Sequence, residues 1–474
     1  MTGGHVAVID IGKTNAKLAL VRLSDLSEIA VVTRPNTVLP GPPYPHFDVE
    51  GHWAFLLDGL ARFHSEHNIS AITVTTHGAA GALIAEDGSL AAPILDYEHS
   101  GPGETADAYD VIRPPFAETG SPRLSMGLNL GAQLHWQFQM DPALRDRVCQ
   151  VVTYPQFWAY RLTGVLATDV TSLGCHTDLW NPFAGTFSSL PDALGIAEKI
   201  APPRKPADVL GTILPEIADR TGLPTGTPVH CGIHDSNASL LAHLVAREPP
   251  FSVVSTGTWV IAMAVGGKPV TLDPTLDTLV NVNAFGEAVP SARFMGGREH
   301  DIAVGGAPVN PDIAQMLDVL EQATMLLPAV LPETGPFAGE QARWHGAEPQ
   351  LGSGQRCAAV AFYLALVTSR CLELIGHGGP VVVEGPFARN RAYLWMLGVA
   401  SSSTVVPMDS TTGTSQGAAL LVATDGNHDQ ENTANMVPDE QLQNLLSTYA
   451  RDWNALVRRC PVETGEPTFK MSQT

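Results

Sequence analysis

Two short turns in this chain carry the residue types that grip a phosphorylated ligand. Asp10-Ile11-Gly12-Lys13-Thr14-Asn15 places a carboxylate, a glycine, a hydroxyl and an amide between the apolar runs Val6–Asp10 and Ala16–Val21. Ser255-Thr256-Gly257-Thr258 sets three hydroxyls around a glycine, again between two apolar runs. Backbone N–H groups of a tight turn, with hydroxyls beside them, hold a triphosphate, and a carboxylate nearby can hold Mg²⁺ through water. Either turn alone is also an ordinary hairpin tip, where Gly, Asn and Thr are favoured for backbone reasons. A third region, Val381-Val382-Val383-Glu384-Gly385-Pro386-Phe387-Ala388-Arg389-Asn390, runs from a strand into a turn of small residues, and Asp409–Ala419 runs from a turn into a helix. No G-x-x-x-x-G-K-[ST] sequence is present, so a nucleotide would have to be held by these scattered turns.

The elements that must position these turns follow from the hydrophobic pattern. Val6–Leu23 and Phe251–Met263 each read as strand, polar tip and strand. Ser70–Thr76 is a further strand that ends in His77-Gly78-Ala79-Ala80-Gly81, where small residues permit close backbone approach. Thr225–Val229 leads through Cys231-Gly232-Ile233-His234-Asp235-Ser236 into a helix over Ala238–Ala246. Helical period predicts further helices over Leu144–Leu162, Gln355–Ile375 and Leu442–Val457, with an exposed loop at Asn427–Asn432. Two similar hairpins half a chain apart predict two related α/β domains across a cleft, 1–247 and 248–474, divided near Arg247 before the break at Pro249-Pro250.

Composition narrows the function classes. The 474 residues carry 27 Lys and Arg against 48 Asp and Glu, a net charge of −21, which disfavours phosphate backbones and anionic lipid surfaces; no basic patch offsets it. No nucleic acid and no membrane are expected as partners. Only 16% of residues are charged, which suits a surface partly covered in a homodimer. The six cysteines, Cys149, Cys175, Cys231, Cys357, Cys371 and Cys460, lack C-x-x-C spacing and read as buried free thiols. The first residues lack the basic and apolar regions of a signal peptide, so a cytoplasmic protein is expected, and no run of about 18 apolar residues suggests a span.

Taken jointly, these motifs resemble the sugar kinases of the FGGY group from about Val6 to Val422. Asp10–Lys17 and Ser255–Thr258 look like that family's two phosphate motifs, and Gly385–Asn390 like its adenosine motif. Tyr160–Gly164 with Ala167–Asp169 and Thr171-Ser172, and Phe337–Glu340, are similar to further family segments. The resemblance implies two ribonuclease H-like (actin-like ATPase) domains with an interdomain cleft. It implies ATP held by Gly12, Thr14, Asn15, Lys17, Thr256, Gly257, Thr258, Gly385 and Asn390, with Asp10 holding Mg²⁺ through water. Asp235 corresponds to the family's catalytic aspartate, although an aspartate at a helix start is also an ordinary cap. His77 matches the position where the family presents a histidine to the substrate, and Gly78, Glu98, His234 and Asp235 complete the expected sugar site, with Trp136 behind it. Lys17 could equally snorkel from its strand, and Arg298 either offsets phosphate charge or makes a surface ion pair. Two positions depart from the family pattern: Gln133 precedes Leu134-His135-Trp136 where lysine is common, and Gln341 follows Glu340 where arginine is usual.

The resemblance therefore implies an ATP- and Mg²⁺-dependent kinase acting on a primary hydroxyl of a ketose. Phe294–Glu299 and His234-Asp235 most resemble the deoxyketohexose kinases, which points to L-rhamnulose or L-fuculose, with D-xylulose, D-ribulose and erythritol as alternatives. An ATPase or acyl-phosphate kinase on the same fold, and a non-catalytic sugar-sensing regulator, are the rival classes. Isolated histidines without an H-E-x-x-H pair give no reason to expect a tightly bound metal.

Overall fold

The computed structural model describes residues 4–408, 413–423 and 438–458; Cys460, the Asn427–Asn432 loop and Asp409–Thr412 lie outside the described residues. Strands His5–Ile11 and Asn15–Arg22 form the first hairpin, continued by Glu28–Pro35 on one side and, in parallel, by Ile69–Thr76 on the other. Pro228–His230, Ile233–His234 and Val209–Thr212 complete this seven-stranded sheet. The second sheet repeats the scheme. Phe251–Thr256 and Val260–Val265 form its hairpin, Ala288–Phe294 flanks the second strand, and Val381–Glu384 runs parallel to the first. Each hairpin thus has one parallel neighbour whose end lies level with the hairpin tip, which is where the glycine-rich turns fall.

Helix packing repeats as well. Val49–His67 covers the first sheet, burying Val49, His52, Leu56, Gly59, Leu60 and Phe63 at helical spacing, and Asp48 caps it by accepting from Gly51 N at 3.0 Å. Gly354–Leu374 is its counterpart on the second sheet and is buried on almost every face. Among the described residues this is the one helix long and apolar enough to cross a membrane, yet 78% of its apolar window is buried inside the protein, as in a core helix.

The expected helix over Leu144–Leu162 is interrupted. Leu144–Arg147 and Tyr154–Thr163 are helical, but Gln150–Thr153 is a strand paired antiparallel with Gly81–Ile84. The β-branched Val151 and Val152 satisfy either pattern, and the distant partner strand decides it. Of the cysteines, Cys175, Cys231, Cys357 and Cys371 are buried free thiols, whereas Cys149 is exposed rather than buried because it sits in the turn before that strand.

The two halves meet along helix Asp235–Ala246 and the short helix Thr414–Ala419. Ala238, Leu241 and Ala242 share a core with Val6, Val8, Ile233, Ala418 and Ala419, while Leu240 enters the core of the second sheet with Phe251, Val253, Met263 and Val382. The crossing is close: a Cβ at Gly417 would lie 1.9 Å from Ala238 O. Gly417→Ala is expected to lower the unfolding free energy by about 1–3 kcal/mol, read as a lower urea midpoint, because main chain at Ala238 cannot give way as a side chain could; an unchanged midpoint would contradict this close contact.

Candidate active site

Asp235 is the first residue of helix Asp235–Ala246, entered from the two-residue strand Ile233–His234. Its Oδ1 accepts from Ser236 N at 2.6 Å and from His234 Nε2 at 3.0 Å. Burial works against its ionisation, but the charge and hydrogen bond of His234 and the Ser236 N–H outweigh it and hold the carboxyl below its ordinary value. Burial likewise disfavours the imidazolium of His234, and the acidic groups beside it, Cys175 and Asp235, overcome that and raise it well above the usual histidine range. The entry strand is fixed from below: His234 N donates to Thr171 Oγ1 at 3.0 Å, and Thr171 Oγ1 donates to the fully buried Asp169. Asp169 also caps the short helix Val170–Leu173, so the Asp169–Ser172 segment is a footing for the Asp235 turn.

On one side of Asp235 lies the His77 loop. His77 Nδ1 donates to Gly78 O at 2.7 Å, and its ring packs against Phe47, Tyr97 and Tyr154. Burial lowers its pKa, so the ring is neutral, and Nε2 is a buried acceptor without a partner among the described residues. Such an atom suits a hydroxyl donor. A Cβ at Gly78 would lie 3.0 Å from His234 Nε2 and 3.1 Å from Cys175 Sγ, so glycine lets this loop reach Asp235. Glu98 is exposed and its Oε2 lies 3.1 Å from Lys13 Nζ; Lys13 also pairs with the buried Asp96 and sits 4.8 Å from the Tyr97 ring centre. Trp136 stands further back, clustered with Tyr44 and Leu95. Gln133, where lysine is usual in the resembled family, is buried and donates to Ala79 O at 2.6 Å and Gly127 O. A neutral amide there ties two loops without burying a charge.

The first hairpin tip faces the second domain. Gly12 N donates to Asn15 O at 2.9 Å, whereas the N–H groups of Lys13 and Thr14 meet no acceptor among the described residues. Thr14 and Asn15 are exposed. Asp10 Oδ2 accepts from Thr414 Oγ1 at 2.6 Å and Ser415 Oγ at 3.3 Å, from the opposite half of the chain, and Lys17 Nζ lies 3.3 Å away. Lys17 is also 3.3 Å from Glu28, so in this structure its ammonium serves two carboxylates. Among the described residues no cluster of three His, Cys, Asp or Glu side chains could hold a metal. A single carboxylate with Oδ1 left over fits Mg²⁺ that keeps its waters and arrives with phosphate oxygens, the way this ion is commonly bound.

The second tip is joined to the Gly385 turn. Thr256 Oγ1 donates to Glu384 O and accepts from Phe387 N at 3.1 Å, so this hydroxyl links two turns and does not point to a ligand. Gly385 has φ +82°, and a Cβ there would lie 2.0 Å from Thr256 O. Beside them a cavity of about 540 Å³ is lined by Gly257, Thr258, Arg298, Phe387, Arg389 and Asn390 among others, a size suited to a nucleoside. Asn390 is the cap of helix Arg391–Ser401, accepting from Tyr393 N at 3.2 Å. A second cavity of about 280 Å³ runs from Asp235, Cys175 and His176 to Ser255, Glu384 and Thr414, so it joins the Asp235 turn to the second sheet.

The sequence-predicted residues thus fall into three neighbouring groups: His77, Gly78, His234 and Asp235 together; Asp10, Gly12, Thr14, Asn15 and Lys17 at the first tip; Gly257, Thr258 and Asn390 around the larger cavity, with Thr256 and Gly385 as its scaffold. Glu98 stands at the rim with Lys13. Lys13, Cys175, Thr414 and Ser415 belong to the site without having been singled out, since each acts through a partner 59 to 405 residues away.

Comparison with known proteins finds a family match in each half of the chain. Residues 5–242 match the model of the N-terminal domain of the FGGY family of carbohydrate kinases, and residues 248–431 match the carbohydrate kinase FGGY C-terminal domain. A carbohydrate kinase of Novosphingobium aromaticivorans is 37% identical, with a TM-score of 0.88 over 95% of this chain and 100% of that one. The xylulose kinase of Rhodospirillum rubrum shares the fold at 21% identity, TM-score 0.77, over 96% and 98% of the two chains. L-fuculokinase of Salmonella typhi is 29% identical over 207 residues, 43% of this chain and 43% of its own length; the match spans less than half of that relative.

Because Asp235 has a lower pKa folded than unfolded, its carboxylate contributes stability above its ordinary value of 3.8, and this is lost as the pH falls through the folded value. Urea midpoints taken from about pH 5 to about pH 3 should therefore fall more steeply for the wild type than for Asp235→Asn. Parallel curves would mean that the carboxylate is not held in its ionised form.

Proposed function

The chain belongs to the FGGY family of carbohydrate kinases, and on that premise we propose that it transfers the γ-phosphoryl group of ATP to a primary hydroxyl of a ketose, with Asp235 as the base. The observation that carries this reading is the Asp235 carboxylate. It is kept ionised at a helix start, with His77 and Gly78 on one side and, on the other, a cavity reaching Ser255 of the second turn and Thr414, whose hydroxyl bonds Asp10. In phosphoryl transfer the protein mainly positions the reactants and offsets charge, and the hydroxyl proton must go to a group other than the metal. Asp235 takes that proton. The neutral His77 accepts from a second sugar hydroxyl, while the Lys13 and Thr14 N–H groups and the Thr258 turn hold the phosphates. Arg298 and Asn390 bound the nucleoside, and Asp10 orients the water shell of Mg²⁺, which when bound offsets charge on the phosphates. Closing of the two domains excludes water that would compete for the phosphoryl group.

The acceptor favoured is L-fuculose, supported by the likeness to the L-fuculokinase of Salmonella typhi and by the His234-Asp235 and Phe294–Glu299 segments. L-rhamnulose is the near alternative. Coupled ADP release with purified protein, ATP and Mg²⁺ across L-fuculose, L-rhamnulose, D-xylulose, D-ribulose and erythritol tests the choice: turnover should be highest with a deoxyketohexose, and a preference for erythritol or a pentulose would overturn it. Asp235→Asn should lower kcat by about 10²–10⁴-fold, the range of general-base contributions, with sugar affinity retained. Undiminished turnover in that variant would remove Asp235 from the role, and sugar binding without turnover in the wild type would favour a sensor.

A further inference from the structure

Helix Asp235–Ala246 carries the proposed base at its start and, two turns later, His243. The His243 side chain is fully buried, and its Nε2 lies 2.6 Å from Oε1 of Glu384, itself 5% exposed, across the junction of the two halves. His243 Nδ1 is buried without a partner among the described residues, so Nε2 is the nitrogen that carries hydrogen and donates to the carboxylate. Glu384 ends the strand Val381–Glu384 and directly precedes Gly385. Its carbonyl accepts from Thr256 Oγ1, which in turn accepts from Phe387 N. One residue therefore touches the Asp235 helix with its side chain and the nucleotide-side turns with its main chain.

Stability alone gives little reason for such a pair. Burying a carboxylate and an imidazole at a junction otherwise filled by Leu240, Val253, Met263 and Val382 is no more stabilising than hydrocarbon would be, because desolvation offsets the attraction. What the pair supplies is a directional tie between two bodies that each hold half of the reactants. A helix is stiff, and eight residues separate His243 from Asp235, about 12 Å along its axis. A shift of the Glu384 strand end at one point of this helix is thus delivered to Asp235 at the other.

We propose that the His243–Glu384 hydrogen bond is a positioning contact that couples nucleotide binding at the Gly257, Thr258 and Asn390 cavity to the placement of Asp235 against the acceptor sugar. This rests on the kinase reading above. His243 touches no reactant; it acts through the helix. The consequence is that sugar should bind more tightly when nucleotide is present, by about 5-fold or more if the coupling is of ordinary size, and that cutting the tie removes the enhancement.

The test uses the full chain and measures the Kd of L-fuculose, or of the panel sugar that is turned over, with and without saturating ADP and Mg²⁺. His243→Gln keeps an amide donor near the Nε2 position and should retain the wild-type ratio. His243→Leu should bring the ratio to about one, weaken ADP binding in the presence of saturating sugar by the factor that is lost, as reciprocity requires, and lower kcat by about 10- to 100-fold, as small misplacements of reacting groups do. The double variant His243→Leu, Glu384→Leu removes both members of the pair together, so it keeps the test open should the single variant fail to fold; it too should show a ratio of one. A purely structural role would lower the melting temperature and leave the ratio intact. An active wild type whose ratio is one, or a ratio unchanged in either leucine variant that folds, overturns the coupling alone. A wild type that phosphorylates no sugar of the panel overturns the kinase reading as well.

Discussion

A carboxylate that is to accept a proton must stay ionised in a place from which water is being excluded, and burial opposes that. In this chain the first turn of one helix meets the requirement. Asp235 gains the Ser236 N–H and the His234 imidazole as donors, and the positive end of the helix dipole adds to them. The geometry of that turn is dictated in turn by Thr171 beneath the His234 main chain and by the buried Asp169 beneath Thr171. Gly78 allows the neighbouring loop to approach where any side chain would meet His234 or Cys175. If the turn moved, Asp235, His234 and the His77–Gly78 loop would all be displaced relative to one another.

The same helix is the seam between the two halves. One face belongs to the core of the first sheet and the other to that of the second, and the Thr414–Ala419 helix crosses it closely enough that Gly417 touches Ala238 O. Thr414 and Ser415 then reach Asp10 on the first tip. The first tip and the Asp235–His77 group thus lie with the first sheet and the Gly257–Asn390 cavity with the second, and hydrogen bonds as well as apolar side chains cross between them. An apolar interface alone would hold the halves together without fixing their angle; directional bonds such as Asp10 to Thr414 and His243 to Glu384 fix it.

Much of this is legible in the sequence where the signal is local. The hairpins at Val6 and Phe251 announce themselves by apolar runs around polar tips, and the helix over Gln355–Ile375 by its length and apolar character, matching the observed Gly354–Leu374. The Asp235 turn can be read from Gly232 through Ser236 because strand, tight turn and helix start follow in order. What the sequence hides is pairing over distance. Lys13 bound to Asp96 and Glu98, Cys175 beside His234, and His243 facing Glu384 have no spacing rule, since each pair is brought together by strand order. Thr256 shows what long-range pairing adds: its hydroxyl reads as a phosphate ligand in a Ser-Thr-Gly-Thr turn, and in the fold it donates to Glu384 O and accepts from Phe387 N, on either side of Gly385. Gln133 is explained only when its two carbonyl partners are seen.

Asp235 is assigned the role of accepting the hydroxyl proton, and a structure of the protein with a turned-over ketose and a non-hydrolysable ATP analogue tests this without relying on a variant. One Asp235 carboxylate oxygen should lie about 2.6–3.2 Å from a primary hydroxyl of the sugar that is itself in line with the γ-phosphorus. A reacting hydroxyl beyond that reach, or bonded instead to His77 or another side chain, would contradict the assignment.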